Sequence, residues 1–291
     1  MASFTKKRIN IRFDLTTGVF AGGGNKYEAT GLRISVSIQN NGGLAQSKGE
    51  FAIYGLPLDV MNQLSTVGTQ YNKEYKNGVA IEAGDDESGM TLIFAGVITS
   101  AFVDAQAMPQ VNFHVTAISQ TFYSVKPAEP LSIKGSADVS GMLSQIASAM
   151  GFAYEDAGVN VKLANPYYAG SLWQQALQIA RHAGIDVVLD KNTLVAIPPD
   201  KSRQSDTVLI SPETGLVGYP AFNQRAVVVA ALFNPAVQYG ANFEVRSELT
   251  PANGIWKINS LVYELESEMP QGNWFMILQG YLVGPETIAG T

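Results

Sequence analysis

The chain of 291 residues contains no cysteine. Thiolate catalysis, iron–sulfur clusters, cysteine-ligated zinc and a disulfide framework are therefore excluded. It has two histidines, His114 and His182, so a multi-histidine metal site within one chain is excluded as well. Charge is also scarce: Asp, Glu, Lys and Arg make up 15% of the residues, against about 25% in a typical soluble domain. Two readings fit that deficit: much of the surface is buried against partners, or it is polar but uncharged, as in many all-β proteins. The net charge is −6 with no basic tract, which argues against a basic footprint for nucleic acid. The longest apolar run, Ala226 to Phe233, has eight residues, where a membrane-spanning helix needs about 20. Lys6, Lys7 and Arg8 are followed by Arg12 and Asp14 rather than an apolar segment, so no secretory signal is read. The expectation is a chain made in the cytosol that does not insert in a membrane.

What is present is mostly strand pattern. Ile9, Ile11 and Phe13 alternate with polar residues, as do Leu32, Ile34, Val36 and Ile38. A period of two marks a half-buried strand. Phe51 and Ile53 continue the pattern, and Val79–Ala83, Met90–Asp104 and Gln110–Ser119 predict three more strands. Pro57 to Leu64 predicts a short helix. From Lys126 the character changes. Asp138 is placed to cap a helix with a Val139, Met142, Leu143, Ile146, Met150 stripe that Gly151 ends. A second helix is predicted from Ser171 to Ala183, with Leu172, Trp173, Ala176, Leu177 and Ala180 on its buried face and Gly184 as its stop. Ile185–Leu189 and Thr193–Ile197 read as a hairpin. Strands return in Arg225–Phe233, Ala241–Ser247, Ile255–Ser267 and Asn273–Val283, with Asn253-Gly254 as a hairpin signal.

An ungapped slide of 162 positions lays residues 78–118 on 240–280. Ile93 then meets Ile255, Phe94 meets Trp256, Phe113 meets Phe275 and Val115 meets Ile277. Identity is at chance level. The likeness lies in the order of elements, which a duplication or any pair of β-meanders would give. The fold class predicted is mainly β with an α/β insert: two similar β-barrel domains, 1–125 and 201–291, flanking a small α/β module, 126–200.

Chemical motifs are weak. Gly22-Gly23-Gly24 lacks the phosphate-loop spacing and no helix follows it, so a hairpin loop is predicted. Asp85, Asp86 and Glu87 lack the alternating calcium-loop pattern and read as a solvated turn. His114 falls on the face opposite Phe113 and Val115, and His182 in a last helical turn; neither suggests a triad, and no G-x-S-x-G elbow occurs. No catalytic, cofactor or metal site is assigned. Glu264, Glu266 and Glu268 alternate along a predicted strand and share one face. Like charges side by side require a wet face: a solvated edge, or an acidic wall on a water-filled channel.

The second half resembles a known family. The residues that carry the resemblance are Gly215-Leu-Val-Gly-Tyr-Pro220, Ala226–Leu232, Asn234-Pro235, Gly240, Asn253-Gly254-Ile-Trp-Lys-Ile258 and Gly272-Asn-Trp-Phe275. In the middle, Met142–Gly151 and Leu172-Trp-Gln-Gln-Ala-Leu177 through Ile197 take part. Over about 135–285 this order is similar to baseplate hub proteins of contractile-tailed bacteriophages, the late-control-D, Mu-type and gene-27-like tail hubs, with related spikes in type VI secretion. Because the sequence ends soon after the second predicted β-domain, the expectation is a hub unlike the long fused spikes. The resemblance implies a non-enzymatic homotrimer acting as a symmetry adaptor. Two tube-like domains per subunit would form a pseudo-six-fold ring joining a hexameric tail tube, or a tube-initiator protein, to a trimeric central spike. Its place would be the virion tail baseplate, assembled in the host cytoplasm. The tape measure protein and then DNA would pass through the lumen without specific binding, and Glu264, Glu266 and Glu268 would be channel-lining candidates. The competing expectation is a tail-associated protein that binds or hydrolyses cell-wall peptidoglycan.

Overall fold

The computed structural model describes residues 5–41, 46–66, 77–106, 108–119, 126–223 and 226–282. The first third holds β1 (Lys7–Asp14), β2 (Lys26–Ala29), β3 (Ile34–Asn41), β4 (Lys48–Tyr54), α1 (Leu58–Leu64), β5 (Gly78–Asp85), β6 (Gly89–Asp104) and β7 (Asn112–Ile118). The middle holds β8 (Pro127–Ser132), β9 (Ser136–Asp138), α2 (Val139–Met150), β10 (Ala153–Asp156), β11 (Lys162–Ala164), β12 (Tyr167–Ser171), α3 (Leu172–Ala183), β13 (Asp186–Asp190) and β14 (Thr193–Ile197). The last third holds β15 (Val208–Ile210), β16 (Leu216–Asn223), β17 (Ala226–Leu232), β18 (Asn242–Val245), β19 (Gly254–Ser267) and β20 (Trp274–Tyr281). No helix among the described residues is long and apolar enough to cross a membrane.

The two flanking regions share one sheet of 13 strands. Its main path runs β16-β17-β20-β19-β3-β4-β7-β6-β5-β1-β2, and β18 pairs with both β15 and β19. Among the described residues the sheet does not close into the barrels expected in each flanking region: it is open at β16 and at β2, and the two regions join edge to edge. The join is antiparallel pairing of β19 with β3, from Ser260 opposite Asn41 to Ser267 opposite Ile34. A single buried cluster likewise draws on both regions, from Ile9, Phe13, Phe51 and Phe113 to Phe243, Leu261 and Leu278.

Within that sheet one strand order occurs twice. The order β3-β4-β7-β6-β5-β1 is matched by β16-β17-β20-β19-β18-β15, although β1–β5 is antiparallel and β15–β18 parallel. The 162-residue slide holds at the first hairpin, where Ile81 opposite Phe94 corresponds to Phe243 opposite Trp256. It fails at the last strand. Phe113 and Val115 are buried, whereas Ile277 is exposed, so the slide sets a core face on an open one. The cause is the length of the connection between the paired strands: Asp104 to Asn112 spans 8 positions and Glu264 to Phe275 spans 11, and an odd difference turns every side chain of the last strand to the other face. Both long strands carry the same irregularity, Thr99 skipped in the β6–β7 ladder and Asn259 in the β19–β20 ladder, which fixes the true correspondence. Matched bulge to bulge, Ala101, Val103 and Phe113 correspond to Leu261, Tyr263 and Met276.

Asn253-Gly254 does not make a two-residue turn. Val245 pairs with Gly254, and the eight intervening residues include a short 3-10 turn, Thr250–Ala252. Asn253 braces this loop, accepting from the Ser247 N–H at 2.7 Å and donating to its carbonyl at 3.0 Å.

The middle module has its own core. Asp138 caps α2 by accepting from the Gly141 N–H at 2.9 Å, and Gly151 ends it at φ 74°. Gly184 ends α3 at φ 64°, as the sequence predicts, and Ser171 and Gln174 form a capping box at its start. The predicted apolar stripe of α3 needs one correction. Leu172 and Leu177 are only partly buried, while Gln175 is buried. Its amide donates to the carbonyls of Glu129 at 2.9 Å and Gly170 at 3.1 Å, so a polar side chain is satisfied where an apolar one was expected. β13 and β14 form the predicted hairpin, and β10 adds in parallel to β14.

Arg203, on the connection to the last third, ties the hairpin sheet of the module together. Its side chain is 7% exposed and reaches Glu155 on β10 at 2.8 Å and Asp190 on β13 at 2.5 Å. Its own backbone N–H donates to Gly240 in the last third at 2.8 Å. Arg203→Met leaves two carboxylates facing each other without a cation, and should destabilise the protein by about 3 kcal/mol, read as a lowered Tm in thermal denaturation.

Candidate functional face and edges

The strands from β16 to β6 present one side to the core and the other away from it. On the outer side, paired residues line up in rows across the strands. One row runs Phe275, Glu264, Ser37, Glu50, Thr116, Ser100. The next runs Glu266, Ser35, Ala52, His114, Phe102. The two rows carry hydroxyls at Ser35, Ser37, Ser100 and Thr116, carboxylates at Glu50, Glu264 and Glu266, and rings at Phe102, His114 and Phe275.

Glu264 lies on this face, half-buried, and accepts a 2.7 Å hydrogen bond from Ser37 Oγ across the β19–β3 join. Glu266 shares the face and accepts from the Asn273 N–H at 2.9 Å, which fastens it to the β19–β20 connection. Glu268 does not belong to the set. β19 ends at Ser267, Glu268 has φ 53°, and its carboxylate pairs with Lys6 Nζ at 2.6 Å. The alternation that unites the three residues in sequence stops one residue short of the third, where the chain turns.

Two acids of the face are absent from the sequence reading. Glu50 stands in the Glu264 row and is ion-paired with Lys48; the alternation of Lys48 and Glu50 with the apolar Phe51 and Ile53 in β4 carries that signal. Asp104 is subtler. With the bulges matched, Asp104 opposite Asn112 corresponds to Glu264 opposite Phe275. The two strand-order units thus place a carboxylate at the same point, a relation the ungapped slide conceals. Asp104 lies 3.9 Å from His114 Nε2, and His114 stacks on Phe102 with ring centroids 5.4 Å apart.

The remaining sequence candidates are structural. The Asp85 carboxylate accepts from the Ser88 and Glu87 N–H groups at 2.7 and 2.9 Å. Led by the Ser88 N–H, these bonds hold its pKa down at about 2, with Lys7 adding to them. Asp86 pairs with Arg8 at 2.5 Å. These acids close the β5–β6 turn. Gly22-Gly23-Gly24 lies in the β1–β2 connection, where Gly23 and Gly24 take φ 83° and 88°. His182 Nδ1 lies 3.0 Å from the Tyr168 hydroxyl. No cluster of three or more His, Asp or Glu suited to a metal occurs among the described residues.

The Ser37–Glu264 bond links residues 227 positions apart. A double-mutant cycle of Ser37→Ala and Glu264→Ala should give a coupling of about 1 kcal/mol in thermal or denaturant unfolding.

The fold is that of several solved tail proteins. A tail protein from Neisseria meningitidis MC58 aligns with a TM-score of 0.61 at 12% identity, covering 95% of this chain and 97% of that one. The 43 kDa tail protein of prophage MuSo2 from Shewanella oneidensis gives 0.60 at 10% identity, covering 94% and 97%. The c3393 protein of E. coli, a type VI secretion component similar to the T4 bacteriophage tail proteins gp27 and gp5, gives 0.57 at 6% identity, covering 86% and 73%. No curated protein sequence matches the chain. The family model described as baseplate hub gp41 matches residues 10–279, and the chain belongs to the baseplate hub gp41 family.

Proposed function

We propose that this phage baseplate hub protein acts as a homotrimeric ring with pseudo-six-fold symmetry. The observation that carries the reading is the strand order present twice in one sheet. Two like units per chain make six like units in a trimer. Such an object can mate with a hexameric tube, or a tube-initiator protein, on one side and with a trimeric central spike on the other. The units are the regions up to about residue 125 and from about 201, with the 126–200 module between them. Each unit is an open arc of sheet, so barrel closure is a property of the ring. The site of action is the baseplate of a contractile tail, assembled in the host cytoplasm before lysis.

In this reading the outer sheet face lines the lumen through which the tape measure protein and then DNA pass. Glu264 and Glu266 put negative charge there, and Asp104 repeats the Glu264 position in the other unit. Threefold symmetry multiplies each. A net-acidic, hydroxyl-rich wall repels phosphate, and Lys48, the cation beside Glu50, is held in an ion pair with it. Glu268, turned off the face and paired with Lys6, contributes little to that lining. Peptidoglycan hydrolysis has no comparable support. A groove of about 430 Å³ between β8, α2 and α3 has one acidic residue in its lining, Glu129, where glycoside hydrolysis uses two facing carboxylates.

Two measurements test the proposal. Light scattering on the purified protein should give three times the chain mass of 31.2 kDa, about 94 kDa. Phage carrying Glu264→Lys with Glu266→Lys should assemble normally and eject DNA at least about tenfold more slowly, while Glu268→Lys should stay near the wild-type rate. Wild-type ejection kinetics in the double variant would refute the lumen assignment.

A further inference from the structure

The join between β19 and β3 supplies a template for the contact between copies. One edge of β19 carries two partners in succession. β18 covers Gly254 to Lys257 and β3 covers Ser260 to Ser267, with β20 along the opposite edge. β6 is the counterpart of β19. β5 covers its corresponding edge from Gly89 to Val97, and β7 lies on the other side. Beyond Val97 no described strand takes the place that β3 takes on β19. Thr66 holds this edge at one point, donating to the Ala101 carbonyl at 2.8 Å and accepting from its N–H at 2.9 Å. Phe102 to Asp104 continue past it. At the far end of the sheet β16, the counterpart of β3, has β17 on one edge and no described strand on the other.

We infer that β6 of one copy pairs antiparallel with β16 of the next, in the register that β19 and β3 use within the chain. This rests on the trimeric reading above and specifies its interface. The register follows residue by residue. With the bulges matched, Val103 stands where Tyr263 stands. Through the ladders β4–β7, β3–β4, β17–β20 and β16–β17, Phe222 stands where Ile38 stands. Tyr263 and Ile38 face each other across the internal join and are 4% and 0% exposed. Val103 and Phe222 are 38% and 51% exposed: they are the open counterparts of a buried pair. One residue away, Phe102, also exposed, is set opposite Asn223, and Asp104 opposite Ala221. Each copy offers one β6 edge and one β16 edge, so the contact is head-to-tail and closes only as a ring. Pairing these edges also removes the exposed strand edges that invite aggregation.

The absence of cysteine makes the test free of background. Val103→Cys with Phe222→Cys, and separately Phe102→Cys with Asn223→Cys, place thiols on facing strands within reach of a disulfide. Under mild oxidation each double variant should run as linked dimers and trimers on a denaturing non-reducing gel, and each single variant as a monomer. A trimer by light scattering in which neither double variant cross-links would overturn this edge assignment and leave the ring standing. A monomer at every concentration, without cross-links, would overturn both. Dimers from the Val103→Cys single variant would overturn the head-to-tail geometry in favour of a two-fold contact.

Discussion

A strand edge is a row of backbone donors and acceptors that must be bonded to another strand or shielded. In this chain the ladder between β19 and β3 meets that requirement for the two ends of the polypeptide at once. It makes one sheet from regions separated by the whole middle module. It brings their apolar faces into one buried cluster, and it sets Glu264 against Ser37 on the outer face. Without that ladder there would be two arcs of sheet, each with an open edge, and no continuous outer face.

The same join explains how two units can share a strand order while sharing almost no sequence. A sheet asks of each position little more than a face, inward or outward, and a size that packs. Phe51 and Val229, or Phe113 and Met276, meet that demand equally in their respective ladders. Steric demands leave firmer marks. Gly280 is buried under Phe243 and Trp256, where a Cβ would lie 2.5 Å from the Phe243 ring. In the other unit Ala117 fills the corresponding place, opposite Ile98 as Gly280 is opposite Ile258, and the smaller Val79 and Gly96 stand where Phe243 and Trp256 stand. The bulges at Thr99 and Asn259 are a second such mark, since they keep the two long strands in a common geometry despite different residues.

The middle module is built on another principle. Its helices are capped by their own side chains and packed in a separate core. Arg203 couples its strands to the connection leading back into the large sheet. A buried guanidinium held by two carboxylates is directional in a way that apolar packing is not. The side-chain contacts of Arg203 bind β10 to β13, and its backbone bond to Gly240 ties that sheet to the last third.

Much of this was legible from the sequence. Period-two alternation identified the long strands, Asp138, Ser171, Gly151 and Gly184 bounded the two main helices, and the order of elements led to the family. These signals are local: a residue's neighbours in the chain determine which side of a strand it faces and where a helix can begin and end. Tertiary structure alone decided which strands became neighbours. It joined β19 to β3, left the arcs open, turned Glu268 off the strand, and matched Asp104 with Glu264 through two bulges. Backbone hydrogen bonds are the same for every residue type, so a strand's side chains specify its faces strongly and its partner weakly. The choice of partner is made only when the whole sheet is assembled.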